Sequence, residues 1–366
     1  QKLEKNTMRV KNIKKFFLSK NPKKIFVVCG KKSFNKIYGN IFLENKIKKD
    51  TKIYYYFKKS TNPDYKELKK ITSNIRKILP DLIIAIGGGC VMDYAKSANV
   101  MAKEDRKKIN LNKIFKKRLC DLLCIPTTAG TGAEITPGAV LYVNNIKTNI
   151  NGPAVKPNYF YFEPNFIKYN TNYIIASSGF DTLSQSIESI LSIKATRQSI
   201  YNAKKSIKLS IKNLINFYKK KKSYNAFNLQ VAANLSGKAI SISNTGVPHA
   251  LSYIFSSNYK LSHGHSVSLN MLKAVKFNYL NKKKSQLLSS RLNIVFKCFN
   301  CDNYFEFEKK IKFILKTINL EQNYKNLNIN EKKLFKLKKF ISAKRLKNNI
   351  IKLNSKNIEQ ILFNKF

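Results

Sequence analysis

Two successive patterns of hydrophobic and polar residues divide the chain. Up to about residue 175, short apolar runs suited to buried strands are separated by helical or loop stretches. This alternation is typical of an open, mainly parallel α/β sheet. Beyond residue 175, apolar residues recur at three- and four-residue spacing, which predicts helices. The predicted strands cover residues 25–29, 52–57, 82–86, 122–125, 139–143 and 159–162, and the clearest helices cover residues 200–218, 228–241, 305–318 and 358–363.

The change of pattern predicts a protein of the α/β plus all-α class with two domains. Residues 1–175 form the expected α/β domain with its mainly parallel sheet, and residues 176–366 form the expected all-helical domain. The hydrophobic fraction of 43% supports a sizeable interior. No run approaches the ~20 apolar residues of a membrane helix. No secretion signal opens the chain, so we expect a cytoplasmic protein. The numbering opens at Gln1 and the first strand is poorly marked, so we expect an incomplete N-terminus.

A run of glycines follows the predicted strand 82–86 and leads into a helical pattern that contains Asp93. Glycines at such a turn let the backbone approach a ligand, and the helix N-terminus offers N–H groups to a phosphate. The spacing matches neither the Rossmann nor the P-loop motif, so an ordinary tight turn is the alternative. The candidate residues for a nucleotide pyrophosphate are Gly87, Gly88, Gly89 and Asp93.

A second loop follows the predicted strand 122–125 and carries three threonines, Thr127, Thr128 and Thr131. Each hydroxyl can donate and accept a hydrogen bond, which suits a ribose or a phosphate. A polar loop exposed to solvent is the alternative.

All three histidines of the chain, His249, His263 and His265, lie between residues 248 and 265. Such clustering indicates a metal site or a proton-transfer site, with histidines of an ordinary core as the alternative. Upstream, Asp181 and Gln185 share one face of what we predict to be the start of a helix. Their oxygens and two imidazoles could complete a four-ligand divalent metal site, although Asp181 could also be a helix cap.

Together these segments resemble the iron-containing, metal-dependent group III alcohol dehydrogenases. The matching segments are residues 87–96, 126–134, 179–188 and 249–265, in the family's order and separation. The resemblance implies a dehydroquinate-synthase-like two-domain fold: a nucleotide-binding domain, a helical metal-binding domain and an active-site cleft between them. It also implies an NAD(P)-dependent oxidoreductase that acts on a small aldehyde or alcohol, and a homodimer or larger homo-oligomer.

The resemblance also implies roles for single residues. Asp181, His249 and His263 would hold a divalent metal, Fe²⁺ or Zn²⁺. Gln185 stands where most members carry another histidine, so it could ligate through its amide oxygen or leave that position to water or His265. His265 could alternatively relay a proton to the alkoxide, and Tyr253 could line the hydride path. Packing beside the metal is the alternative for both.

Within the family, the chain most resembles the phosphonoacetaldehyde reductases. The resemblance rests on residues 181–189, 235–242, 248–253, 263–269 and 345–349. It implies reduction of phosphonoacetaldehyde to 2-hydroxyethylphosphonate, with Lys238 as the candidate cation for the phosphonate. A solvated lysine is the alternative, and Asn244, where related reductases tend to carry lysine, weakens this interpretation. A general short-chain alcohol or aldehyde dehydrogenase and a dehydroquinate-synthase-like lyase stay open as other functions.

The choice between NADPH and NADH depends on the end of the first predicted strand. Relatives that prefer NAD often carry an aspartate where this chain has Gly30, and that carboxylate repels a 2′-phosphate. Here lysines follow instead, at Lys31 and Lys32. The pattern slightly favours NADPH, although lysine is abundant throughout the chain.

The composition of the chain gives it a large positive net charge. With 70 Lys+Arg against 20 Asp+Glu, the formal net charge is +50. Such a charge raises the hypothesis of a polybasic nucleic-acid-binding protein. No nucleic-acid-binding motif accompanies the charge, so we expect no specific nucleic-acid partner and only non-specific polyanion binding at low salt. The six cysteines include a lone Cys298-x-x-Cys301 pair, and we predict that all are reduced thiols.

Overall fold

The computed structural model describes residues 7–105, 110–144, 146–337, 341 and 343–366. The chain divides into two compact units. The first contains residues up to 128 together with 132–169, and the second contains 129–131 together with 170–366. The predicted boundary after residue 175 lies six residues beyond the main division.

The first unit contains eight described strands and six described helices. The strands are β1 (Met8–Arg9), β2 (Lys24–Gly30), β3 (Lys52–Lys58), β4 (Leu82–Gly87), β5 (Asp121–Pro126), β6 (Gly138–Val143), β7 (Ile146–Asn151) and β8 (Tyr159–Phe160). The helices are α1 (Ile13–Lys20), α2 (Lys31–Lys36), α3 (Gly39–Glu44), α4 (Tyr65–Ile78), α5 (Gly89–Ala102) and α6 (Pro164–Lys168).

Six of these strands form one parallel sheet in the order β1-β8-β5-β4-β2-β3. Strand β2 lies between β3 and β4. The chain passes from β2 to β3 on one side and then crosses back to β4 on the other side, so the strand order reverses between β2 and β4. In doubly wound sheets, ligands bind beyond the carboxyl ends of the strands at such a point. The predicted parallel α/β sheet is confirmed.

One predicted strand has a different partner. Residues 139–143 lie in β6, but β6 pairs antiparallel with β7 in a separate two-stranded sheet. The sequence pattern identified the strand because residues 139–143 form a continuous apolar run, and this run carried no information on the pairing. Strands β1 and β7 were not predicted, and β8 ends at Phe160.

The central strands are buried on both faces, as helices on both sides of a parallel sheet require. Ile25 and Val27 point into an apolar layer shared with α1, α2, α3 and α6. Phe26 and Val28 point into the opposite layer, shared with α4 and α5. Every residue of β4 is buried. These two layers fix the strand ends from which the loops of the candidate nucleotide site emerge.

The second unit is helical throughout its described elements. These are α7 (Asn172–Leu191), α8 (Arg197–Lys220), α9 (Ser223–Ser243), α10 (Val247–Asn258), α11 (His263–Leu280), a 3₁₀ turn (Lys282–Lys284), α12 (Gln286–Cys298), α13 (Tyr304–Thr317), α14 (Glu331–Lys336), α15 (Ala343–Leu346) and α16 (Ser355–Phe363). Within the described ranges, no helix combines the length and apolarity that crossing a membrane requires.

Helix α7 corrects a sequence expectation. Its N-cap is Thr171, whose side chain accepts a hydrogen bond from the Ile174 N–H, so Asp181 lies in the helix interior and is not a cap. Gly179 is also inside α7. An added Cβ there would lie 2.3 Å from Leu214 Cδ1, so this glycine permits close packing against α8 and does not mark a helix start.

Candidate functional site

Three helices bring Asp181, His249 and His263 together. Their potential ligand atoms all lie within 4.8 Å of one another. Asp181 Oδ1 is 3.3 Å from His249 Nε2 and 4.0 Å from His263 Nε2. Asp181 and His249 are buried, whereas the His263 side chain is 37% exposed. One carboxylate and two imidazoles form a donor set that suits a divalent transition metal.

Local sequence places these side chains. His249 follows Pro248 in the first turn of α10, where proline is well tolerated. His263 is the first residue of α11, and the next residue, Gly264, packs directly on α7. An added Cβ on Gly264 would lie 2.0 Å from the Ser177 carbonyl oxygen. Only glycine allows this approach, which brings the start of α11 beside Asp181.

Glu188 orients His249, and sequence reasoning missed it. Its Oε1 lies 2.8 Å from His249 Nδ1, while its Oε2 accepts a hydrogen bond from the Gly246 N–H at 2.6 Å. A carboxylate only accepts hydrogen bonds, so Nδ1 carries the hydrogen and Nε2 faces Asp181. The signal was present in the sequence, since positions 181, 185 and 188 follow one helical stripe.

The geometry around His249 fits a bound cation. Its Nε2 atom is buried and makes no hydrogen bond to the described residues, although it lies 3.3 Å from a carboxylate oxygen. Burial lowers the pKa of His249, but the carboxylates of Glu188 and Asp181 outweigh burial and raise it above the ordinary value. The site therefore favours positive charge at this point, and a divalent metal would supply it.

Gln185 lies beside the cluster in a different orientation from that of a ligand. Its Nε2 donates a hydrogen bond to Asp181 Oδ2 at 3.3 Å. Its Oε1 accepts one from the Ser236 hydroxyl of α9 at 2.8 Å. The amide oxygen, the atom proposed to ligate, is thus directed at α9.

His265 has both ring nitrogens in hydrogen bonds. Its Nε2 lies 2.6 Å from the carbonyl oxygen of Glu321, which can only accept, so Nδ1 accepts from the Tyr173 hydroxyl at 3.2 Å. Burial lowers the pKa of His265. These contacts favour its structural alternative, and its role in proton transfer or metal binding stays a prediction.

Tyr253 and Lys238 occupy contrasting positions. Tyr253 is half-buried and lies one turn beyond His249 on α10, so the two side chains share a face. Lys238 is exposed on α9, two residues after Ser236. Successive helical residues are rotated by roughly 100°, so Lys238 faces away from the side of α9 that contacts Gln185. The structure thus brings Tyr253, but not Lys238, to the helix face that carries a cluster residue.

The candidate nucleotide residues of the first unit gather at one sheet edge. Gly30 ends β2, Gly87 ends β4, and Thr127 and Thr128 follow β5, the next strand in the sheet. Gly88 is the N-cap of α5, and Gly89 is the first residue of that helix. Because glycine has no side chain, no capping side chain occupies the N-terminus of α5. The N-terminus of α5 therefore lies at the edge where a phosphate would bind.

Gly87 and Gly88 are surrounded by different side chains. An added Cβ at Gly87 would lie 2.5 Å from Val91 Cγ2, so Gly87 is required by packing within the turn itself. An added Cβ at Gly88 would meet only Thr128, at 3.3 Å from Oγ1. Gly88 is thus the position at which a side chain would fill space beside the threonine loop. Thr131 belongs to the second unit and is half-buried.

Asp93 forms a structural contact. Its Oδ2 accepts a hydrogen bond from the Val140 N–H at 3.1 Å, and its Oδ1 lies 4.0 Å from Lys96 Nζ. Burial raises the pKa of the Asp93 carboxyl above its usual range. Asp93 therefore anchors β6 to α5, while its predicted contact with the nucleotide stays a prediction.

A parallel sheet with a glycine-rich turn at the carboxyl end of a central strand, and a helical unit with an Asp-His-His cluster, are what a metal- and nucleotide-dependent dehydrogenase requires. The chain belongs to the iron-containing alcohol dehydrogenase family. The model of that family matches residues 4–164, and the model of its C-terminal part matches residues 175–366. Members of this family are oxidoreductases that use NAD(P) and a divalent metal.

The chain is also similar to individual proteins of known sequence or structure. A phosphonoacetaldehyde reductase of Streptomyces viridochromogenes is 30% identical over 231 residues, which span 60% of this chain and 58% of that protein. The alignment thus covers less than two thirds of the relative. The structure of an iron-containing alcohol dehydrogenase from Thermococcus thioreducens has a TM-score of 0.88 and 19% identity, and covers 98% of each chain.

A third relative has a bound cofactor. The structure of sulfoacetaldehyde reductase from Bifidobacterium kashiwanohense, in complex with NAD⁺, has a TM-score of 0.88 and 21% identity. It covers 98% of this chain and 96% of that one. At such identity the likeness concerns the fold, and it confirms the predicted two-part architecture.

Proposed function

We propose that this protein is a metal-dependent NAD(P)H oxidoreductase that reduces a small aldehyde to an alcohol. The observation that carries the proposal is the cluster of Asp181, His249 and His263, in which the buried Nε2 of His249 faces a carboxylate oxygen at 3.3 Å. Membership of the iron-containing alcohol dehydrogenase family supports it.

The residues of this chain would divide the work between two sites. When bound, the metal supplies a Lewis acid for the aldehyde oxygen and the nicotinamide supplies the hydride. Asp181, His249 and His263 would hold the metal, with Glu188 keeping the hydrogen of His249 on Nδ1. The N–H groups at the start of α5 would bind the pyrophosphate. Tyr253, on the same helix face as His249, would donate a hydrogen bond to the substrate.

For the substrate, we propose phosphonoacetaldehyde. The relative from Streptomyces viridochromogenes and the resemblance of residues 181–189 and 263–269 support this choice. A phosphonate needs cationic partners, and Lys238, which is exposed on α9, is our candidate. A general short-chain alcohol dehydrogenase is the competing function.

For the cofactor, we propose a preference for NADPH over NADH. Strand β2 ends at Gly30, so no acidic side chain stands there to repel a 2′-phosphate, and Lys31 and Lys32 are exposed at the start of α2. The Ser33 hydroxyl donates a hydrogen bond to the Gly30 carbonyl at 3.0 Å.

A substrate panel tests the function. The metal-loaded protein is assayed with phosphonoacetaldehyde and propanal, each with NADPH and NADH, and kcat/KM is compared. We expect the highest value for phosphonoacetaldehyde with NADPH. Equal efficiency with propanal would replace the phosphonate proposal with the general dehydrogenase. Absence of activity on every aldehyde would overturn the reductase itself.

A lysine substitution separates the substrate proposal from damage to the site. Lys238→Ala should raise KM for phosphonoacetaldehyde roughly tenfold or more and leave propanal unaffected, because only the charged substrate loses a charge-assisted hydrogen bond. Lys212→Ala, at another exposed lysine on the neighbouring helix α8, is the matched control. Equal KM values in both variants would remove Lys238 from the phosphonate site.

A further inference from the structure

The two oxygens of Asp181 have different partners. Oδ1 faces the imidazoles, at 3.3 Å from His249 Nε2 and 4.0 Å from His263 Nε2. Oδ2 accepts a hydrogen bond from Gln185 Nε2 at 3.3 Å. A carboxylate has no hydrogen to donate, so the group of Gln185 that faces it must be the amide nitrogen and not the amide oxygen.

The other end of the Gln185 amide is also fixed. Its Oε1 accepts a hydrogen bond from the Ser236 hydroxyl at 2.8 Å. Asp181, Gln185 and Ser236 are only 2%, 3% and 0% exposed, so water cannot replace these contacts. A half-turn of the amide would place its oxygen against Asp181 Oδ2 and exchange an attractive contact for repulsion between two acceptors.

From this geometry we infer that Gln185 is a positioning residue and not a metal ligand. It holds the carboxylate of Asp181 through Oδ2 and directs Oδ1 at the ion, while Ser236 holds the amide. The metal centre of this chain then has three protein ligands, Asp181, His249 and His263. A site with three protein ligands keeps a coordination position open for water or a substrate oxygen. The inference rests on the proposed metal-dependent function.

Gln185 and Glu188 perform parallel tasks in this arrangement. Each lies on α7 and each bonds to a ligand at an atom that faces away from the ion: Gln185 at Asp181 Oδ2, and Glu188 at His249 Nδ1. Such outer hydrogen bonds orient metal ligands, and their loss typically lowers metal affinity by roughly 10- to 100-fold without changing the ligand set. A ligand lost from the ion itself also changes the coordination geometry.

Cobalt binding distinguishes the two roles, because the visible absorption of protein-bound Co²⁺ responds to the number and geometry of its ligands. The metal-free protein and its Gln185→Leu variant are titrated with Co²⁺. Leucine is close to glutamine in size and can neither ligate nor donate. We expect the variant to bind roughly 10- to 100-fold more weakly with unchanged band positions and intensities at saturation. His263→Leu, which removes a ligand, is the control that should change the spectrum.

The outcomes separate the inference from the function on which it rests. A changed spectrum in Gln185→Leu would make Gln185 a ligand, and unchanged affinity would deny it any role; either overturns the inference. Failure of the wild-type protein to bind Co²⁺ would overturn the proposed metal-dependent function instead. Ser236→Ala supplies a second variant if Gln185→Leu does not fold. It should also weaken binding with the spectrum unchanged, whereas a changed spectrum there would contradict the inference.

Discussion

Two of the buried ionisable side chains, Lys96 in the first unit and His249 in the second, differ in how fully their hydrogen bonds are satisfied. On α5, Lys96 is entirely buried and donates to the carbonyl oxygens of Ala133 and Gly138 and to the Thr136 hydroxyl, at 2.6–3.0 Å. In the cluster beside α7, His249 has one ring nitrogen bonded to Glu188, while its buried Nε2 bonds to none of the described residues.

This difference separates a structural group from a binding group. An ammonium has three hydrogens, and Lys96 uses all three to fasten the loop before β6. Such a group needs nothing further from outside the protein. A buried ring nitrogen without a hydrogen bond costs free energy unless another partner arrives. The buried Nε2 of His249 therefore indicates that the ligand site is the helical cluster and not the surroundings of Lys96 on α5.

The largest effect that would sharpen this contrast is expected at Lys96. Lys96→Met removes the three hydrogen bonds of the ammonium and leaves the half-buried Asp93 carboxylate without its nearby cation, so it should lower the free energy of unfolding by about 3 kcal/mol. Denaturant unfolding measures it, with Lys103→Met at the exposed end of the same helix as the control. Metal affinity of the folded variant should not change. A stability loss no greater than that of the control would show that Lys96 is not a structural anchor.

The next effect concerns the buried carboxylate of the helical cluster. Glu188→Gln places an amide where Gly246 N–H and His249 Nδ1–H both need an acceptor, so His249 loses its orientation. We expect metal affinity to fall roughly 10- to 100-fold, as measured by calorimetric titration with Zn²⁺.

Glu67→Gln is the matched control for this substitution. Glu67 is also buried and also accepts backbone N–H bonds, from Lys59 and Ser60, but in the first unit. The Glu67→Gln variant should be less stable than the wild type and should bind metal with the same affinity. Equal metal affinities in Glu188→Gln and the wild type would contradict the proposed difference between His249 as a binding group and Lys96 as a structural group.

The smallest predicted effect concerns the glycine turn. Gly88→Val introduces a side chain against Thr128 at the edge where the pyrophosphate would bind, and should raise the dissociation constant of NADPH by roughly tenfold. Fluorescence titration measures it. Metal affinity should stay at the wild-type value. Undiminished NADPH binding would leave the glycine with a role in the turn alone.

Sequence patterns predicted the sheet better than the details of the cluster. The strands β2, β4 and β5 carry continuous apolar runs, and glycines or threonines mark their ends, so local sequence was sufficient there. Residue type and clustering made Asp181 and the three histidines candidates, and the choice of Asp181, His249 and His263 came from the resemblance to the iron-containing alcohol dehydrogenases.

What sequence could not provide was the set of contacts between distant residues. The orientation of Gln185 depends on Ser236, 51 residues further along the chain. The need for glycine at position 264 depends on the backbone of Ser177. The antiparallel pairing of β6 with β7 likewise depends on a partner that no local pattern identified. Each of these is decided by three-dimensional packing, which periodicity does not encode.

The central claim is that Asp181, His249 and His263 form a metal site, and metal content tests it most directly. The wild-type protein and His263→Ala are loaded with Zn²⁺, dialysed and analysed by elemental analysis. His263 lies at the exposed side of the cluster, so its loss should leave the fold intact. We predict about one ion per wild-type chain. The variant should lose most of its metal on dialysis, because its affinity should be lower by a factor on the order of 100 or more. Equal metal content in the two proteins would contradict the account.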